Sequence, residues 1–353
     1  MTFWPPAGAI MTPLPSRNRA STLRFWVNDA SAPSFRHRLH SVEPELTRRG
    51  FLCQTDAFPR RRYGLRVLER LNDLRTTELL VVAKLKLMPG ERALVRRAAR
   101  RLVYDVDDAV YLGKPAAPGL PPDRSGWRMA KFAATCRIAD VVVAGNEFLA
   151  EAARPYARRV EVVPTPIDVG RYPTSRSARE DLRLVWIGSP GNLPYLDLVR
   201  PALAALVRQF AGLKFRVICS HFPDWSDVPI EKVTWSEATE GTDIGAGDIG
   251  LMPLTDDDWA RGKCAFKLLQ YMAAGLPCVT SPVGANATVA VDGVTALFVR
   301  DASEWHQALS TLLASPEQRR AMGDAARQRV EKLYDLGTIA GRVADLYMEL
   351  ISS

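Results

Sequence analysis

The sequence has few cysteines and no long apolar run. Its five cysteines, Cys53, Cys136, Cys219, Cys264 and Cys278, are scattered and never form a C-x-x-C pair. This excludes a disulfide framework and a cysteine-based zinc site, and it is typical of a reducing compartment. No segment reaches the roughly 18 consecutive apolar residues that a membrane-spanning helix needs. Prolines break the apolar N-terminal stretch, so we predict a disordered leader over residues 1–20.

Acidic side chains are too few in the first half of the chain to balance the basic ones. The 353 residues carry 47 basic and 39 acidic side chains, a formal net charge of +8. Residues 1–180 hold 31 basic against 18 acidic side chains (+13), and residues 181–353 hold 16 against 21 (−5). The front half is therefore expected to meet an anionic partner, either nucleic acid or an acidic membrane surface. A surface tuned only for solubility is the alternative.

Several common signatures are missing. No G-x-G-x-x-G follows an apolar run, which excludes a nicotinamide dehydrogenase. The basic segments lack a helix-turn-helix, zinc or aromatic-platform pattern, so we expect no specific nucleic-acid partner. The four histidines, His37, His40, His221 and His306, have no metal-ligand spacing and are expected to be surface or structural residues.

The sequence does contain two successive arrays of short apolar strands alternating with amphipathic helices. Strands are predicted at 23–29, 51–57, 78–87, 101–111, 139–148 and 159–166, and again at 182–188, 213–220, 232–236, 248–254, 277–281 and 296–300. This pattern predicts the α/β class, with two Rossmann-like, doubly wound domains facing across a cleft. We predict domains over 21–165 and 181–335, a proline-rich linker over 166–180, and a last helix over 336–353 that crosses back to the first domain.

The most informative segment is a helix predicted over residues 261–275. Lys263, Lys267 and Gln270 recur at i, i+4 and i+7 and share one face, whereas Phe266 is expected to face the core. Free N–H groups and the helix dipole favour anions at a helix start, and two cations there predict a diphosphate site. Gln270 is placed to reach a sugar hydroxyl pair. A solvated helix face is the alternative.

Six segments together carry a resemblance to a known group of enzymes. They are VVPTPID (162–168), DIGLMPL (248–254), FKLLQYMAAGLPCVTSPVG (266–284) and the terminal helices from residue 304, with YDVDDAVY (104–111) and ADVVVAGNEFLAEAA (139–153) in the front half. In these segments the chain resembles a glycosyltransferase of the GT-B fold, in the large bacterial group that includes family 4. The resemblance implies transfer of a sugar from a UDP- or GDP-sugar donor to a hydroxyl acceptor, with retention at the anomeric carbon.

The chain departs from the pattern of that group at two positions. Such enzymes commonly carry two Glu residues with seven residues between them, which contact the donor sugar and its ribose; Gly262 and Gln270 stand there instead. We expect Gln270 to contact the ribose and Asp256, Asp257 or Asp258 to replace the missing sugar contact. The group's Arg and Lys pair after the first strand of the second domain is also absent. Lys263 and Lys267 are expected to replace it, with Gly188, Ser189, Asn192 and Arg261 as further donor contacts.

The front domain offers residues for the other side of the cleft. Asp107 occupies the position at which such enzymes often have a sugar-contacting His, and we expect it to be catalytic together with Lys263 and Lys267. Arg36 and Asp108 are expected to contact the sugar or the acceptor, and Arg38 to face the same cleft. Capping of a following helix is the alternative role of the Asp run.

These residues predict a metal-independent, nucleotide-sugar-dependent glycosyltransferase without a cofactor, because lysines would neutralise the diphosphate. The expected acceptor is a sugar, a lipid-linked glycan or a polysaccharide. A sugar-nucleotide epimerase or a non-catalytic binder on the same fold is the alternative. We expect a cytoplasmic protein held peripherally at an anionic membrane by two arginine-rich helices. Their arginines are Arg60, Arg61, Arg62, Arg66 and Arg70, and then Arg92, Arg96, Arg97, Arg100 and Arg101.

Overall fold

The computed structural model describes residues 20–58, 63–174 and 181–353, and for residues 63–66 only the backbone. Three predictions therefore lie outside the described residues: the leader up to residue 19, the end of the linker over 175–180, and the role of Arg60, Arg61 and Arg62. The same holds for the side chain of Arg66.

Twelve strands in the described ranges form two parallel sheets of six strands each. The first sheet contains β1 (Ser21–Val27), β2 (Phe51–Ala57), β3 (Leu79–Ala83), β4 (Arg101–Val106), β5 (Val141–Ala144) and β6 (Val160–Val162), in the order β2-β1-β3-β4-β5-β6. The second contains β7 (Arg183–Ile187), β8 (Lys214–Cys219), β9 (Ile230–Thr234), β10 (Ile249–Met252), β11 (Cys278–Thr280) and β12 (Ala296–Phe298), in the order β12-β11-β10-β7-β8-β9. Both orders reverse direction inside the sheet, which is where such sheets open a binding crevice.

Helices cover both faces of each sheet. They are α1 (Pro33–Arg38), α2 (Glu43–Arg48), α3 (Tyr63–Arg70), α4 (Pro89–Ala98), α5 (Gly126–Ile138), α6 (Glu147–Ala153), α7 (Arg200–Gln209), α8 (Glu240–Gly245), α9 (Asp258–Arg261), α10 (Phe266–Ala273), α11 (Asn286–Val289), α12 (Glu304–Ala314), α13 (Pro316–Leu333) and α14 (Leu336–Ser352). Four hydrophobic clusters result, one on each face of each sheet. Because the inner strands, such as β3, β5 and β10, are buried on both faces, they are continuous apolar runs rather than alternating patterns. That property made the strands predictable.

The predicted helices agree with the structure less closely than the predicted strands do. The single helix predicted over 34–50 is α1, a 3₁₀ turn at His40–Val42 and α2. Pro44 follows that turn and re-starts the helix, since proline suits a first turn but cannot donate within a helix. Likewise, the helix predicted before β8 begins as a 3₁₀ segment, Pro190–Leu198, and becomes α7 after it.

The last helix leaves the second domain and packs on the first. In α14, Ile339, Val343 and Tyr347 join the cluster that β1 and β3 build on one face of the first sheet. Polar contacts fix the end of α14, since Arg101 Nε donates to the carbonyl of Leu350 at 2.7 Å. The first domain therefore takes part of its core from the far end of the chain.

The basic helix α4 does not present the continuous arginine stripe that we expected. It ends at Ala98, so Arg100 lies beyond it. Arg96 pairs with Asp140 at 3.0 Å, and Leu94 is 41% exposed. In the described ranges, no helix is both long enough and apolar enough to cross a membrane.

A buried ion pair holds the cleft edge of the first sheet in place. Arg38 Nε donates to Asp105 Oδ1 at 2.7 Å, and its Nη1 donates to the carbonyl of Val163 at 2.8 Å. Both side chains of the pair are 4% exposed. Arg38 was expected to face the cleft, but the structure places it inside the domain because the buried Asp105 requires a partner.

Asp105→Ala is expected to lower the free energy of unfolding by about 3–5 kcal/mol, because it leaves the Arg38 guanidinium buried without a countercharge. Chemical denaturation followed by circular dichroism measures the loss. Glu45→Ala is the control, because it removes the partner of the exposed Arg48 and should matter far less. Equal losses in the two variants would contradict this role for the ion pair.

Candidate functional site

A cavity of about 500 Å³ lies in the cleft between the two sheets. Both domains line it, and the loops at the carboxyl ends of β4, β7, β8, β9 and β10 all reach it. Of the predicted site residues, it brings together Arg36, Asp107, Asp108, Gly188, Ser189, Asn192, Lys263, Lys267 and Gln270. The size and the mixture of apolar and charged walls suit a ligand of nucleotide size.

The loop after β7 forms one wall of the cavity. A Cβ on Gly188 would lie 2.5 Å from the Trp186 ring and 3.0 Å from Lys267 Nζ, so the backbone approaches the cavity closely only because this residue is glycine. Asn192 Nδ2 donates to Ser189 Oγ at 2.9 Å, which fixes the turn. The loop therefore presents backbone and hydroxyl groups beside the lysines.

The two lysines lie near the start of α10, although not as predicted. The helix begins at Phe266, after Ala265 in the left-handed region (φ 54°), so Lys263 precedes the helix instead of sharing its face. Lys267 Nζ lies 4.6 Å from the centre of the Trp186 ring, and Lys263 Nζ lies 5.6 Å from that of Trp259. The left-handed residue turns the chain so that both amino groups still line the cavity.

Neither lysine has an acidic partner in an ion pair within the described ranges. Burial, together with the nearby charge of Lys263, lowers the pKa of Lys267 to about 7. Burial also lowers the pKa of Lys263, partly offset by Asp108. Two cations that repel each other in one cavity form a site for a strong anion.

Gln270 is buried rather than solvated. It is 3% exposed, and its Nε2 donates to the Tyr172 hydroxyl at 3.0 Å. That hydroxyl donates to Glu240 Oε1 at 3.0 Å, and Trp235 Nε1 donates to Glu240 Oε2 at 2.7 Å. Gln270, Trp235 and Glu240 all line the cavity. Sequence reasoning missed Trp235 and Glu240, because nothing in the sequence shows that the linker residue Tyr172 joins them to α10.

Asp107 and Asp108 lie on the opposite wall, and both pair with a lysine that sequence reasoning also missed. Lys84 Nζ lies 3.1 Å from Asp107 Oδ1 and 2.8 Å from Asp108 Oδ2. Lys84 is in the left-handed region (φ 57°), which is costly for a residue with a side chain and is found where a site requires it. Burial lowers the pKa of Lys84, but the two carboxylates outweigh it and raise the pKa above its usual value. The next helix begins only at Gly126, so the Asp run caps no helix there.

Two further side chains reach the cavity from α1. Arg36 Nη1 bonds Glu237 Oε2 of the second domain at 2.8 Å, and its guanidinium lies 5.3 Å from the centre of the Trp235 ring. The His37 ring lies 4.3 Å from the ring of Phe266. Burial and the neighbouring Arg36 lower the pKa of His37 to about 4, so it is neutral. Phe266, which we predicted to face the core, packs partly against the core of the second domain and also lines the cavity.

The loop before α10 does not supply the predicted sugar contacts. Arg261 pairs with Asp256 at 2.7 Å, Asp257 caps α9 by accepting from Ala260 N at 2.9 Å, and Asp258 pairs with Arg124. None of these four charged residues of the loop lines the cavity. Over the part of the chain that the structure describes, no group of three or more His, Cys, Asp or Glu side chains could hold a metal ion.

Gly262 explains why no carboxylate stands at that position. A Cβ there would lie 2.7 Å from the Cβ of Ala109 and 3.1 Å from its backbone nitrogen. The two domains touch at this point, so a Glu side chain would have to push them apart.

Comparisons with known proteins show which proteins share this architecture. Residues 198–345 match the family described as glycosyl transferase-like, whereas no curated protein matches the chain. Sucrose-phosphate synthase from Thermosynechococcus elongatus is similar in structure, with a TM-score of 0.70 and 13% identity over 94% of this chain and 99% of that one. HepE from Anabaena, in complex with UDP and glucose, has a TM-score of 0.68 and 12% identity over 94% and 100%. WaaG, a glycosyltransferase involved in lipopolysaccharide biosynthesis, has a TM-score of 0.66 and 14% identity over 92% and 99%.

The chain has the GT-B fold. The predicted α/β class, the two Rossmann-like sheets and the resemblance to GT-B glycosyltransferases are confirmed. The glycosyl transferase-like match contains Lys263, Lys267, Gln270 and Glu240, so it covers the second-domain wall of the GT-B cleft except for the loop after β7, at 187–192. Asp107 and the rest of the first-domain wall lie outside it.

Lys267→Met is expected to raise the melting temperature near pH 6–7, with a gain that shrinks toward pH 10. The pKa of Lys267 is about 7, against an ordinary value of 10.5, so the unfolded chain binds more protons between these values. The cost of burying the ammonium is therefore fully present below pH 7 and fades as the pH rises to 10.5. Thermal denaturation at several pH values measures it, with the exposed Lys332→Met as control. A gain independent of pH would contradict the assignment.

Proposed function

We propose that this protein transfers a sugar from a nucleoside diphosphate donor to a hydroxyl acceptor. The observation that carries the proposal is the pair Lys263 and Lys267, which line the GT-B cavity beside Gly188 without acidic partners among the described residues. A diphosphate supplies the missing negative charge. The glycosyl transferase-like match over 198–345 and the UDP and UDP-glucose complexes of the neighbour HepE support it.

The same lysines explain how the reaction would be assisted. As the bond between the sugar and the diphosphate breaks, negative charge grows on the leaving phosphate, and Lys263 and Lys267 are already placed to stabilise it. Binding of the anion raises the pKa of Lys267, so the neutral form of this lysine takes up a proton and the side chain is charged in the complex. This proposal needs neither a metal ion nor a protein nucleophile, and it is compatible with retention if the leaving phosphate accepts the acceptor proton.

The first domain is proposed to hold the acceptor. Asp107 and Asp108 face the cavity opposite the lysines, and Lys84 keeps both carboxylates in place. Carboxylates accept hydrogen bonds from hydroxyl groups, so a sugar acceptor is well matched to this wall. Asp107 is then the residue that orients the attacking hydroxyl.

A sugar-nucleotide binder without transfer activity is the second candidate. Gly262 favours it, because this position cannot carry the sugar-contacting Glu that the resemblance predicts. Release of UDP or GDP in the presence of a donor and an acceptor separates the two functions.

Lys263→Ala and Lys267→Ala are each expected to lower kcat/KM for transfer by about 10-fold to 100-fold, because each removes a charge-assisted hydrogen bond to the diphosphate. Release of the nucleoside diphosphate in buffer with EDTA measures transfer without a metal. Lys332→Ala removes an exposed lysine of α13 and is the control. Unchanged turnover in both cleft variants would rule out the diphosphate assignment, and activity lost in EDTA would rule out the metal-free reaction.

We also propose that the first domain meets an anionic membrane, on a surface that differs from the predicted stripe. Adjacent helices α3, α4 and α5 expose Leu68 (52%), Leu94 (41%) and Trp127 (54%), with Met88 (39%) just before α4. Arg97 and Arg128 are exposed nearby on α4 and α5, and Lys131 Nζ lies 5.3 Å from the centre of the Trp127 ring. Exposed apolar side chains among cations are suited to an anionic lipid surface. A neighbour involved in lipopolysaccharide biosynthesis supports a lipid-linked acceptor.

The double variant Leu94→Ser, Trp127→Ser is expected to lose co-sedimentation with vesicles of phosphatidylglycerol and phosphatidylcholine, because it removes apolar side chains that would enter the interface. The wild-type chain should bind more at low than at physiological salt, as cations near the surface are screened. Val294→Ser removes an equally exposed apolar side chain from the second domain and is the control. If the wild-type protein stays in the supernatant at both salt concentrations, the surface is not a membrane site.

A further inference from the structure

Glu240 is a buried carboxylate that faces the cavity and has no cationic partner in an ion pair within the described ranges. It is 4% exposed, and its oxygens accept from the Trp235 indole at 2.7 Å and the Tyr172 hydroxyl at 3.0 Å. A carboxylate has about four acceptor positions, so two remain. Burying a charge without a cation is costly unless its hydrogen bonds are made. The carboxylate is therefore suited to accept further donors from a ligand.

The position of Glu240 indicates which part of a bound nucleotide it would contact. Lys263 and Lys267 lie near the start of α10, and Gln270 lies one turn further on, joined to Glu240 through Tyr172. In the order of the second sheet, β7 lies in the middle, next to β10. Strand β9 lies at the edge, and Trp235 directly follows it. A nucleotide with its diphosphate at the lysines thus directs its nucleoside toward Trp235 and Glu240.

A carboxylate distinguishes the bases by their hydrogen-bonding edges. Guanine offers two adjacent donors, N1–H and the N2 amino group, which match the two oxygens of a carboxylate. Uracil offers one donor, N3–H, between two carbonyl oxygens that a carboxylate repels. Adenine and cytosine each place a ring acceptor beside their amino group. Guanine alone among these bases makes both bonds without repulsion.

Arg36 supplies the complementary donor. Its guanidinium lies over the Trp235 ring, and its Nε is buried without a hydrogen-bond partner. An unsatisfied buried donor costs free energy, so a ligand acceptor at this position is favoured. The O6 oxygen of guanine, next to N1–H, is such an acceptor.

We propose that Glu240 is a specificity-determining residue that selects guanine, and that the donor is a GDP-sugar. The inference rests on the proposed use of a nucleoside diphosphate donor, and it adds the identity of the base.

Calorimetric titration of the full chain with GDP, UDP, IDP and 2′-deoxy-GDP tests this without any substitution. GDP is expected to bind at least about tenfold more tightly than UDP, the range given by one paired recognition of a base edge. IDP lacks the N2 amino group and should bind several-fold more weakly than GDP. The 2′-deoxy compound keeps the base edge, so it should retain the preference over UDP.

Glu240→Gln tests the residue itself. An amide places a donor against N1–H or the N2 amino group, so GDP affinity should fall about tenfold or more while UDP affinity changes little. Asp243→Asn, which removes the same charge from the same helix but does not line the cavity, should keep the preference for GDP. Circular dichroism of both variants checks the fold.

Three results would overturn the inference. The first is UDP binding as tightly as GDP. The second is equal affinity for GDP and IDP. The third is a Glu240→Gln variant whose affinities for GDP and UDP fall by the same factor, while the wild-type protein binds 2′-deoxy-GDP more weakly than GDP by that factor. The carboxylate would then contact the ribose rather than the base. Binding of none of these nucleotides would instead contradict the proposed function.

Discussion

Parallel strands buried on both faces are the constraint on which this structure depends. The inner strands of the two sheets lie between helices, so polar side chains on them are costly unless they are paired, as Arg24 is with Asp56. Polar and charged side chains that can bind a ligand therefore lie in the loops at the carboxyl ends of the strands. Because the two sheets turn these ends toward each other, the loops after β4, β7, β8, β9 and β10 meet in one cavity.

Charge in that cavity is divided between the domains. The first-domain wall carries Asp107 and Asp108, neutralised by Lys84, whereas the second-domain wall carries Lys263 and Lys267 without such compensation. Uncompensated positive charge in a cleft costs free energy, and burial together with the charge of Lys263 lowers the pKa of Lys267. A bound anion supplies a countercharge, which raises that pKa again. The strain that the site carries before binding is therefore relieved by the ligand itself.

The sequence predicted this fold better than it predicted the site. Buried parallel strands are continuous apolar runs, and all twelve strands of the described ranges fall on predicted segments. The cleft lysines were also found, because a helix following a buried strand marks the carboxyl end of a sheet. The predicted start of this helix was wrong, because Ala265 is in the left-handed region and the helix begins only after it. Lys263 therefore lies before the helix, and Phe266 lines the cavity. Glu240 and Lys84 were missed because their roles depend on contacts across 68 and 24 residues with Tyr172 and Asp108, and no local pattern reports these.

The path of α14 has a consequence for how the chain is made. Residues 336–352 cover one face of the first sheet, although that sheet is complete by Val162. On the ribosome, the first domain emerges with that face covered only in part, by α1 and α2, and residues 163–335, just under half of the chain, must follow before α14 appears. Domains generally fold in order of synthesis, and exposed apolar faces aggregate. The nascent first domain therefore leaves part of this apolar face exposed until α14 has been synthesised.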